Sequence, residues 1–157
     1  MLYALPHIAC VDAFQHWIYT SGEGGDRDAR DAAWLAIRQR FEPSVDWSGL
    51  ETERVARWLR QSHIFTSPFY YIEYGIEQLG ALQVWRDSLR DHGAAVQRYK
   101  RALALGGTVS LPEMYHTAGV KLVFDAPTMR ELVELVESRI TELRRMLATG
   151  ELEAVHA

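Results

Sequence analysis

Long apolar runs and paired cysteines are both missing from this sequence. Cys10 is the one cysteine among 157 residues, so no disulfide can form within the chain, which fits a reducing compartment. No stretch reaches the roughly 18 apolar residues that a membrane-spanning helix needs, so we expect no membrane partner. The amino terminus lacks the basic segment and the small-residue cleavage site of a signal peptide. Together these absences predict a cytoplasmic protein.

A net positive charge is missing as well. The formal net charge is −4, and no basic stripe alternates with aromatic residues, so we expect no nucleic-acid partner. The hydrophobic content of 48% and the charged content of 24% are typical of a soluble globular protein. Five tryptophans and seven tyrosines predict a large buried apolar area. The length suits one domain, which we predict over residues 1–150 with a tail at 151–157.

The common catalytic motifs are absent too. The sequence contains no H-E-x-x-H, no pair of cysteines and no serine-centred elbow, and Gly106-Gly107 lacks the rest of a phosphate loop. Asp12 and His16 are neighbours at i,i+4, but His7 falls on the opposite side of the same predicted helix, whereas a metal needs its ligands on one face. We therefore interpret Asp12 and His16 as a hydrogen-bonded pair in a crowded core, with metal binding as the alternative.

Other reactive side chains have no evident companion in the sequence. Cys10 is predicted to be a small buried hydrophobic residue, because nothing cationic nearby would lower its pKa. Glu73 and Glu77 flank a group of tyrosines and could supply acid–base chemistry, but carboxylates on a helix flank are more often only solvated. Three further histidines have no companions: His92, His116 and His156.

Apolar spacing and helix-breaking residues predict an all-α fold. Apart from the short segment at 121–124, no part of the chain alternates with a period of two. The predicted helices cover residues 6–20, 28–41, 50–62, 69–91, 94–105, 111–118 and 128–149, with loops at 21–26 and 63–68. The first helix is apolar on nearly every side and needs cover on most of them.

Particular positions within these helices are also predicted. We expect Trp34, Trp58 and Leu59 to face inward, and Arg38 to lie on a polar flank. Thr128 and Glu131 form a capping-box pattern at the start of the last helix, and Gly150 closes that helix.

The most informative segment runs from His63 to Gln78 and contains three tyrosines. At about 100° per residue, Tyr70, Tyr71 and Tyr74 fall within about one third of a helix circumference, with Ile72 and Ile76 opposite. Phenols donate hydrogen bonds and stay neutral up to a pKa of about 10, which suits them to stabilising a developing oxyanion. The alternative is a packing helix whose hydroxyls reach the surface.

Two segments, Leu2–Tyr19 (LYALPHIACVDAFQHWIY) and His63–Trp85 (HIFTSPFYYIEYGIEQLGALQVW), resemble the carboxy-terminal part of the oligoendopeptidase F group. That group belongs to the M3 family of zinc metallopeptidases. The resemblance extends over most of the chain, including ALALGGTVSLPEMYHTAG and the closing helix. The Phe-Tyr-Tyr-x-x-Tyr segment after a histidine and a proline is its most specific element.

The resemblance implies a largely helical peptidase that cuts short peptides inside a channel. Zinc is held in the family by two histidines of an H-E-x-x-H helix and by a glutamate from a later helix. A histidine and tyrosines of the carboxy-terminal segment hydrogen-bond the substrate and the tetrahedral intermediate. Carried over by position, the resemblance implies catalytic roles for His63, Tyr71 and Tyr74, and substrate binding by Tyr70 and His63.

In the family the zinc-binding part precedes the region where this chain begins. The prediction is therefore a carboxy-terminal fragment of a zinc metalloendopeptidase, inactive alone, with zinc present in the full-length family and none expected on this chain. Its expected partners are short peptide substrates and the missing amino-terminal catalytic portion. The alternative is a non-catalytic helical module that binds peptides or a partner protein. A fragment should expose apolar area, such as the first helix, that would meet the missing portion.

Overall fold

The computed structural model describes residues 4–122 and 124–150, and every regular element within those ranges is a helix. The elements are α1 (Ala4–Thr20), α2 (Arg27–Phe41), α3 (Glu51–Ala56), a 3₁₀ helix (Arg57–Arg60), α4 (Ser62–Thr66), α5 (Ile72–Arg90), α6 (His92–Ala104), α7 (Leu111–Ala118) and α8 (Ala126–Thr149). The predicted all-α class is confirmed. The predicted tail at 151–157, including His156, lies outside the described residues, and so does Val123 of the alternating segment.

Two compact units divide the chain, Met1–Gln78 and Leu79–Ala157. The boundary between them falls inside α5. The single domain over residues 1–150 stays a prediction.

The core of the first unit is built around the ring of Phe14 in α1. This ring meets Trp34 of α2 edge-on at 5.2 Å between centroids, and it lies 5.5 Å from the ring of Trp58. Phe14 and Trp34 are fully buried, as predicted for Trp34. The rest of this core consists of Cys10, Val11 and Ile64. Aromatic contacts of this kind contribute energy beyond the buried area, and they bring α1, α2 and the 3₁₀ helix together.

The helix predicted over residues 50–62 is wrong, because three short elements replace it. The chain winds as α3 and then tightens into the 3₁₀ helix, which Gln61 separates from α4 with φ −88° and ψ 85°. A 3₁₀ helix turns each residue further than an α-helix does. Trp58 is therefore buried as predicted, while Leu59 is 56% exposed and does not face inward.

The loop predicted at 63–68 is also partly wrong. His63 to Thr66 lie in α4, and the helical path ends at Ser67, with φ −146° and ψ 66°. The steric restriction imposed by a proline acts on the residue immediately before it. Pro68 therefore stops the helix at Ser67 and leaves the preceding residues free to be helical.

One buried and one exposed group of polar contacts link segments of the second unit. Gln83 of α5 is 2% exposed, and its side-chain amide donates to the carbonyl of Lys121 at 2.9 Å and accepts from the Lys121 N–H at 3.0 Å. These two bonds satisfy the backbone of the segment before α8. Arg86 donates to Asp87 and to Glu131 of α8, at 3.1 and 2.9 Å.

The predicted cap of the last helix is displaced by one turn. Asp125, rather than Thr128, is the N-cap, and its carboxylate accepts from the Thr128 N–H at 2.8 Å. Glu131 pairs with Arg86 instead of closing a capping box. Aspartate is as good an N-cap residue as threonine, and the first turn of a helix tolerates a proline such as Pro127. The helix therefore starts earlier than predicted. The predicted end at Gly150 is confirmed, with φ +73°.

The exposed apolar area lies elsewhere than the sequence suggested. In α1 the side chains of Ile8, Val11 and Phe14 are at most 5% exposed, so this helix is covered. In α8 the buried residue is Leu132, whereas Val133 and Leu147 are 53% and 68% exposed. No helix among residues 4–122 and 124–150 combines the length and apolarity needed to cross a membrane.

Candidate functional site

Three tyrosine rings surround the imidazole of His63. The ring of Tyr70 stacks on it at 6.0 Å between centroids, while Tyr71 and Tyr74 meet it edge-on at 5.1 and 5.8 Å. Tyr74 also meets Tyr70 at 5.7 Å and Tyr71 at 5.2 Å. The structure thus brings together all four residues that the resemblance singled out.

The three phenols do not lie on a single helix, so the predicted arrangement is wrong in this respect. The helix α5 begins at Ile72, so Tyr70 and Tyr71 precede it and only Tyr74 lies in its first turn. A turn delivers the first two rings: the N–H of Tyr70 donates to the carbonyl of Ser67 at 3.1 Å. The helical spacing was therefore the wrong reason for a grouping that the structure nevertheless contains.

Phe69 is the residue on which this turn depends. Its φ of +61° is the one positive value of a non-glycine residue among those described. A bulky side chain adopts this left-handed conformation only where its surroundings hold it. The Phe69 ring contacts the rings of His16 and Tyr19 of α1, at 5.0 and 5.6 Å. Tyr19 in turn donates to the carbonyl of Ile64 at 2.8 Å, so α1 supports both α4 and the turn.

A cleft of about 320 Å³ opens beside this cluster. It is lined by Ala4, His7, Ile8, His63, Tyr71, Tyr74 and Gln78. Tyr70 is outside the lining and is 44% exposed. The three residues predicted to be catalytic therefore border one concave surface, and Tyr70 lies at its side.

The groups in the cleft are suited to donating hydrogen bonds. The Tyr74 hydroxyl lies 3.4 Å from Nε2 of His63. Burial, with a smaller contribution from Tyr74, raises the pKa of Tyr71 above its ordinary value. The Tyr71 phenol consequently stays protonated and remains a neutral donor.

Gln78 adds a free acceptor to the same wall. Its Oε1 is buried and has no hydrogen-bond partner among the described residues. A buried acceptor without a partner costs free energy, and a ligand that donates to it recovers that cost. The sequence placed Gln78 next to the phenols, but nothing in the sequence indicated that its oxygen would be unpaired.

His7 belongs to this cleft, although sequence reasoning did not include it in the site. Its Nδ1 lies 3.2 Å from Arg38 Nη1, and its Nε2 lies 3.0 Å from the Gln61 amide. Burial lowers the pKa of His7, the Arg38 charge lowers it further, and Glu42 opposes the shift. The ring is thus neutral at pH 7. No local pattern in the sequence marks His7, because its partners come from residues far along the chain.

The prediction that Arg38 lies on a polar flank of α2 is wrong. Its side chain is 3% exposed, and its Nη1 donates to Oε1 of Glu42 at 2.7 Å. The guanidinium also lies over the rings of Trp34 and Trp47, at 5.5 and 5.8 Å. A charge can be buried when a carboxylate and aromatic faces replace its water, and here both are present.

The pair formed by Asp12 and His16 differs from the predicted one. Their closest atoms are 3.7 Å apart, which is longer than a hydrogen bond, and the His16 side chain is 62% exposed. The prediction of a hydrogen bond in a crowded core is wrong, because His16 points away from the core formed by the rest of α1. Glu73 and Glu77 are both exposed, in agreement with the solvated alternative.

Cys10 is fully buried, as predicted. Burial raises the pKa of its thiol to about 12. The expectation that no cation lies nearby is wrong, because Arg38 lowers this pKa, although less than burial raises it. The Cys10 thiol is therefore unreactive because it is buried away from water, and not because a positive charge is missing nearby.

A zinc site does not fit the side chains of this cleft. Residues 4–122 and 124–150 contain no group of three histidine, cysteine, aspartate or glutamate side chains that could hold a metal ion. The cleft offers two imidazoles, His7 and His63, but no carboxylate in its lining. Zinc in proteins usually has three or four protein ligands, so the lining of the cleft is too small a ligand set.

Comparisons with known proteins bear on the same part of the chain. The family model described as "Peptidase family M3" matches residues 2–134. A solved structure titled "PZ peptidase A with inhibitor 2" aligns with a TM-score of 0.78 and 31% sequence identity. That alignment covers 88% of this chain and 25% of the other, so the chain spans about a quarter of its structural relative. No curated protein sequence matches the chain.

Proposed function

The chain belongs to peptidase family M3, and from this premise we propose that it is the carboxy-terminal, substrate-side part of a zinc metalloendopeptidase. In this proposal the complete enzyme hydrolyses peptide bonds in short peptides in the cytoplasm, as in the oligoendopeptidase F group. A portion carrying the H-E-x-x-H helix supplies the zinc, and this chain supplies contacts to the substrate.

One observation carries the proposal: His63, Tyr71 and Tyr74 come from three different segments and border one cleft. Tyrosines that only pack also place their hydroxyls at the surface, but packing alone does not require them to converge with an imidazole on one concave surface. Here the hydroxyl of Tyr74 and the imidazole of His63 meet at that opening, 3.4 Å apart.

Each residue has a distinct proposed role. Tyr74 donates its hydroxyl hydrogen to the oxyanion that develops on the attacked carbonyl, and Tyr71 is a second neutral donor. His63 orients the Tyr74 hydroxyl and contacts the peptide, and Tyr70 forms the side of the peptide path. The open Oε1 of Gln78 accepts a peptide N–H.

Peptide binding by the full chain tests this proposal. A short unlabelled peptide is titrated into protein with ¹³C-labelled tyrosine rings, while metal content is measured on the same sample. We expect shifts of the Tyr71 and Tyr74 signals and no stoichiometric zinc. Tyr99 of α6 is 46% exposed, lies outside the cleft and serves as the internal control.

Two results would count against the proposal. Tyrosine signals that stay constant while the peptide is in excess would remove the cleft from substrate binding. Zinc bound at one equivalent per chain would show that the metal site lies within these residues.

The exposed side of α8 favours a second candidate, a non-catalytic module that binds a partner protein. Val133 and Leu147 of this helix are 53% and 68% exposed, and exposed apolar surface can mark a protein–protein contact. A module of this kind would bind its partner equally well after Tyr71 and Tyr74 are both changed to phenylalanine. The substrate-side proposal instead requires that peptide binding depend on those hydroxyls.

A further inference from the structure

We propose that His7 is a positioning residue of the cleft: its neutral ring holds the Tyr71 phenol in place, and its protonation disturbs that phenol. The inference rests on the proposed function, because it concerns the same cleft. His7 borders the cleft, and its ring meets the Tyr71 ring edge-on, with centroids 6.0 Å apart and an interplanar angle of 88°. Tyr71 thus packs between two histidines, His7 and His63.

Hydrogen bonding selects one form of the His7 ring. Arg38 can only donate, so Nδ1, 3.2 Å away, must accept, and the ring proton of neutral His7 resides on Nε2. The side-chain amide of Gln61 lies 3.0 Å from Nε2. A half-turn of this amide places its oxygen there as the acceptor of the Nε2 proton. Both nitrogens are then satisfied, and the ring cannot rotate without losing two bonds.

The donor to His7 is itself held in place. Arg38 pairs with Glu42 through both of its terminal nitrogens, with Nη1 at 2.7 Å from Oε1. The indole rings of Trp34 and Trp47 lie beside its guanidinium. A two-point contact between arginine and carboxylate fixes orientation as well as distance. A rigid group of α2 therefore reaches the cleft through His7.

Protonation of His7 would break this arrangement. A proton on Nδ1 would face the Arg38 donor, so that bond would be lost and two cations would meet. The new N–H would be drawn instead toward Oε1 of Glu42, which lies 3.7 Å from Nδ1. The charged groups acting on His7 are Arg38 of α2, Glu42 at the end of that helix and Arg57 of the 3₁₀ helix. Cys10 and Tyr71 are both neutral near pH 7, since burial raises the pKa of each. Burial and the two arginines lower the pKa of His7, whereas Glu42 raises it.

A pH titration of the full chain followed by NMR tests the proposal without measuring activity. Histidine and tyrosine rings are labelled with ¹³C, and each ring signal is followed across the acidic range. We expect the Tyr71 signals to move with the midpoint of His7, which lies below 6.5. His92, exposed in the second unit, provides a control, since His92→Asn should leave both midpoints unchanged.

Glu42→Gln separates His7 from His63, the other histidine in contact with Tyr71. The carboxylate of Glu42 raises the pKa of His7, so its removal should lower the His7 midpoint, and the Tyr71 signals should follow. His7→Asn keeps an acceptor for Arg38 but removes the ring, and it should abolish this part of the Tyr71 titration. Tyr71 signals that track His63, or that titrate unchanged in His7→Asn, would overturn the inference.

Peptide binding distinguishes this inference from the proposed function. Above the His7 midpoint, we expect the short peptide to bind about three- to tenfold more tightly than below it, the loss expected from one aromatic contact. The His7→Asn protein should lose that difference. If Tyr71 follows His7 but the peptide binds at no pH, the proposed function fails and the positioning of Tyr71 by His7 stands.

Discussion

The hydroxyl oxygen of Tyr74 lies 3.4 Å from Nε2 of His63, and the two rings meet at an interplanar angle of 88°. This distance is at the long end of hydrogen bonding. The geometry leaves the Tyr74 hydroxyl close to its partner and still available to a ligand in the cleft. Catalytic hydrogen bonds are often long before substrate binds and shorten in the complex.

Replacement of Tyr74 by phenylalanine should therefore lower turnover more than substrate binding. With the zinc-bearing portion supplied, we expect kcat to fall about 10²–10³-fold, as for other losses of one oxyanion donor, with KM little changed. Steady-state kinetics on a short peptide measures both parameters. Tyr99→Phe, which removes a hydroxyl outside the cleft, is the matched control. Equal turnover in the Tyr74→Phe and parent proteins would remove Tyr74 from the site.

The left-handed conformation of Phe69 predicts an unusual order of stabilities. Phe69→Ala loses the ring contacts and keeps the unfavourable φ of +61°, whereas Phe69→Gly loses the contacts and relieves the backbone. We expect the glycine protein to be more stable than the alanine protein by about 1 kcal/mol, measured by urea unfolding.

Phe65 supplies the matched control for that comparison. It lies within α4, where glycine is about 0.5–1 kcal/mol worse than alanine. The order should therefore reverse, with Phe65→Ala more stable than Phe65→Gly. Alanine more stable than glycine at both positions would mean that the turn before Tyr70 does not have the described conformation.

The thiol of Cys10 should resist alkylation in the folded protein. Its pKa of about 12 leaves almost no thiolate at pH 8, and the side chain is fully buried. Iodoacetamide should label the chain slowly under native conditions and rapidly in denaturant, as followed by mass spectrometry. The native rate should rise in proportion to the opening of the first unit when urea is added below the transition. Fast labelling in native buffer would contradict the described burial.

The start of α8 offers a direct comparison between two candidate caps. Asp125→Ala should lower the melting temperature and the protection of the first-turn amides, because its carboxylate accepts from the Thr128 N–H. Thr128→Ala keeps this N–H and should have a smaller effect.

The same cap predicts a dependence on pH. Hydrogen bonds from Thr128 lower the pKa of Asp125, so the cap should be intact above pH 3.8, the ordinary pKa of an aspartate, and should be lost as the pH falls below the lowered pKa. Thermal melts at neutral and acidic pH measure the change in melting temperature, and hydrogen exchange measures the protection of the amides. A larger loss of stability in Thr128→Ala than in Asp125→Ala would mean that Thr128 is the cap, as the sequence predicted.

Much of the fold could be predicted because local rules decide it. The ends of α7 and the Gly150 end of α8 follow from proline, glycine and apolar spacing within a few residues. The interior position of Trp34 follows from the same spacing. Errors appeared where short elements follow one another, as where the chain tightens into the 3₁₀ helix Arg57–Arg60 and leaves the helical path at Gln61.

The candidate site divides in the same way. His63, Tyr70, Tyr71 and Tyr74 were identified from the sequence, because the motif keeps them within one short segment. The helical spacing that seemed to group them does not apply, since the turn at Phe69 sets their positions. His7 was missed because its partners, Arg38 and Gln61, are separated from it by 31 and 54 positions.

The amino-acid sequence alone determined the helical class, the aromatic core residues and the group of tyrosines, because these depend on side-chain chemistry and on neighbours a few residues away. The tertiary structure decided which groups share the cleft, why Arg38 is buried and which state of His7 is stable. Those properties depend on distances between segments remote in the chain and on the removal of water around them. Neither the distances between segments nor the exclusion of water follows from the spacing of neighbouring residues, so only the packed structure shows them.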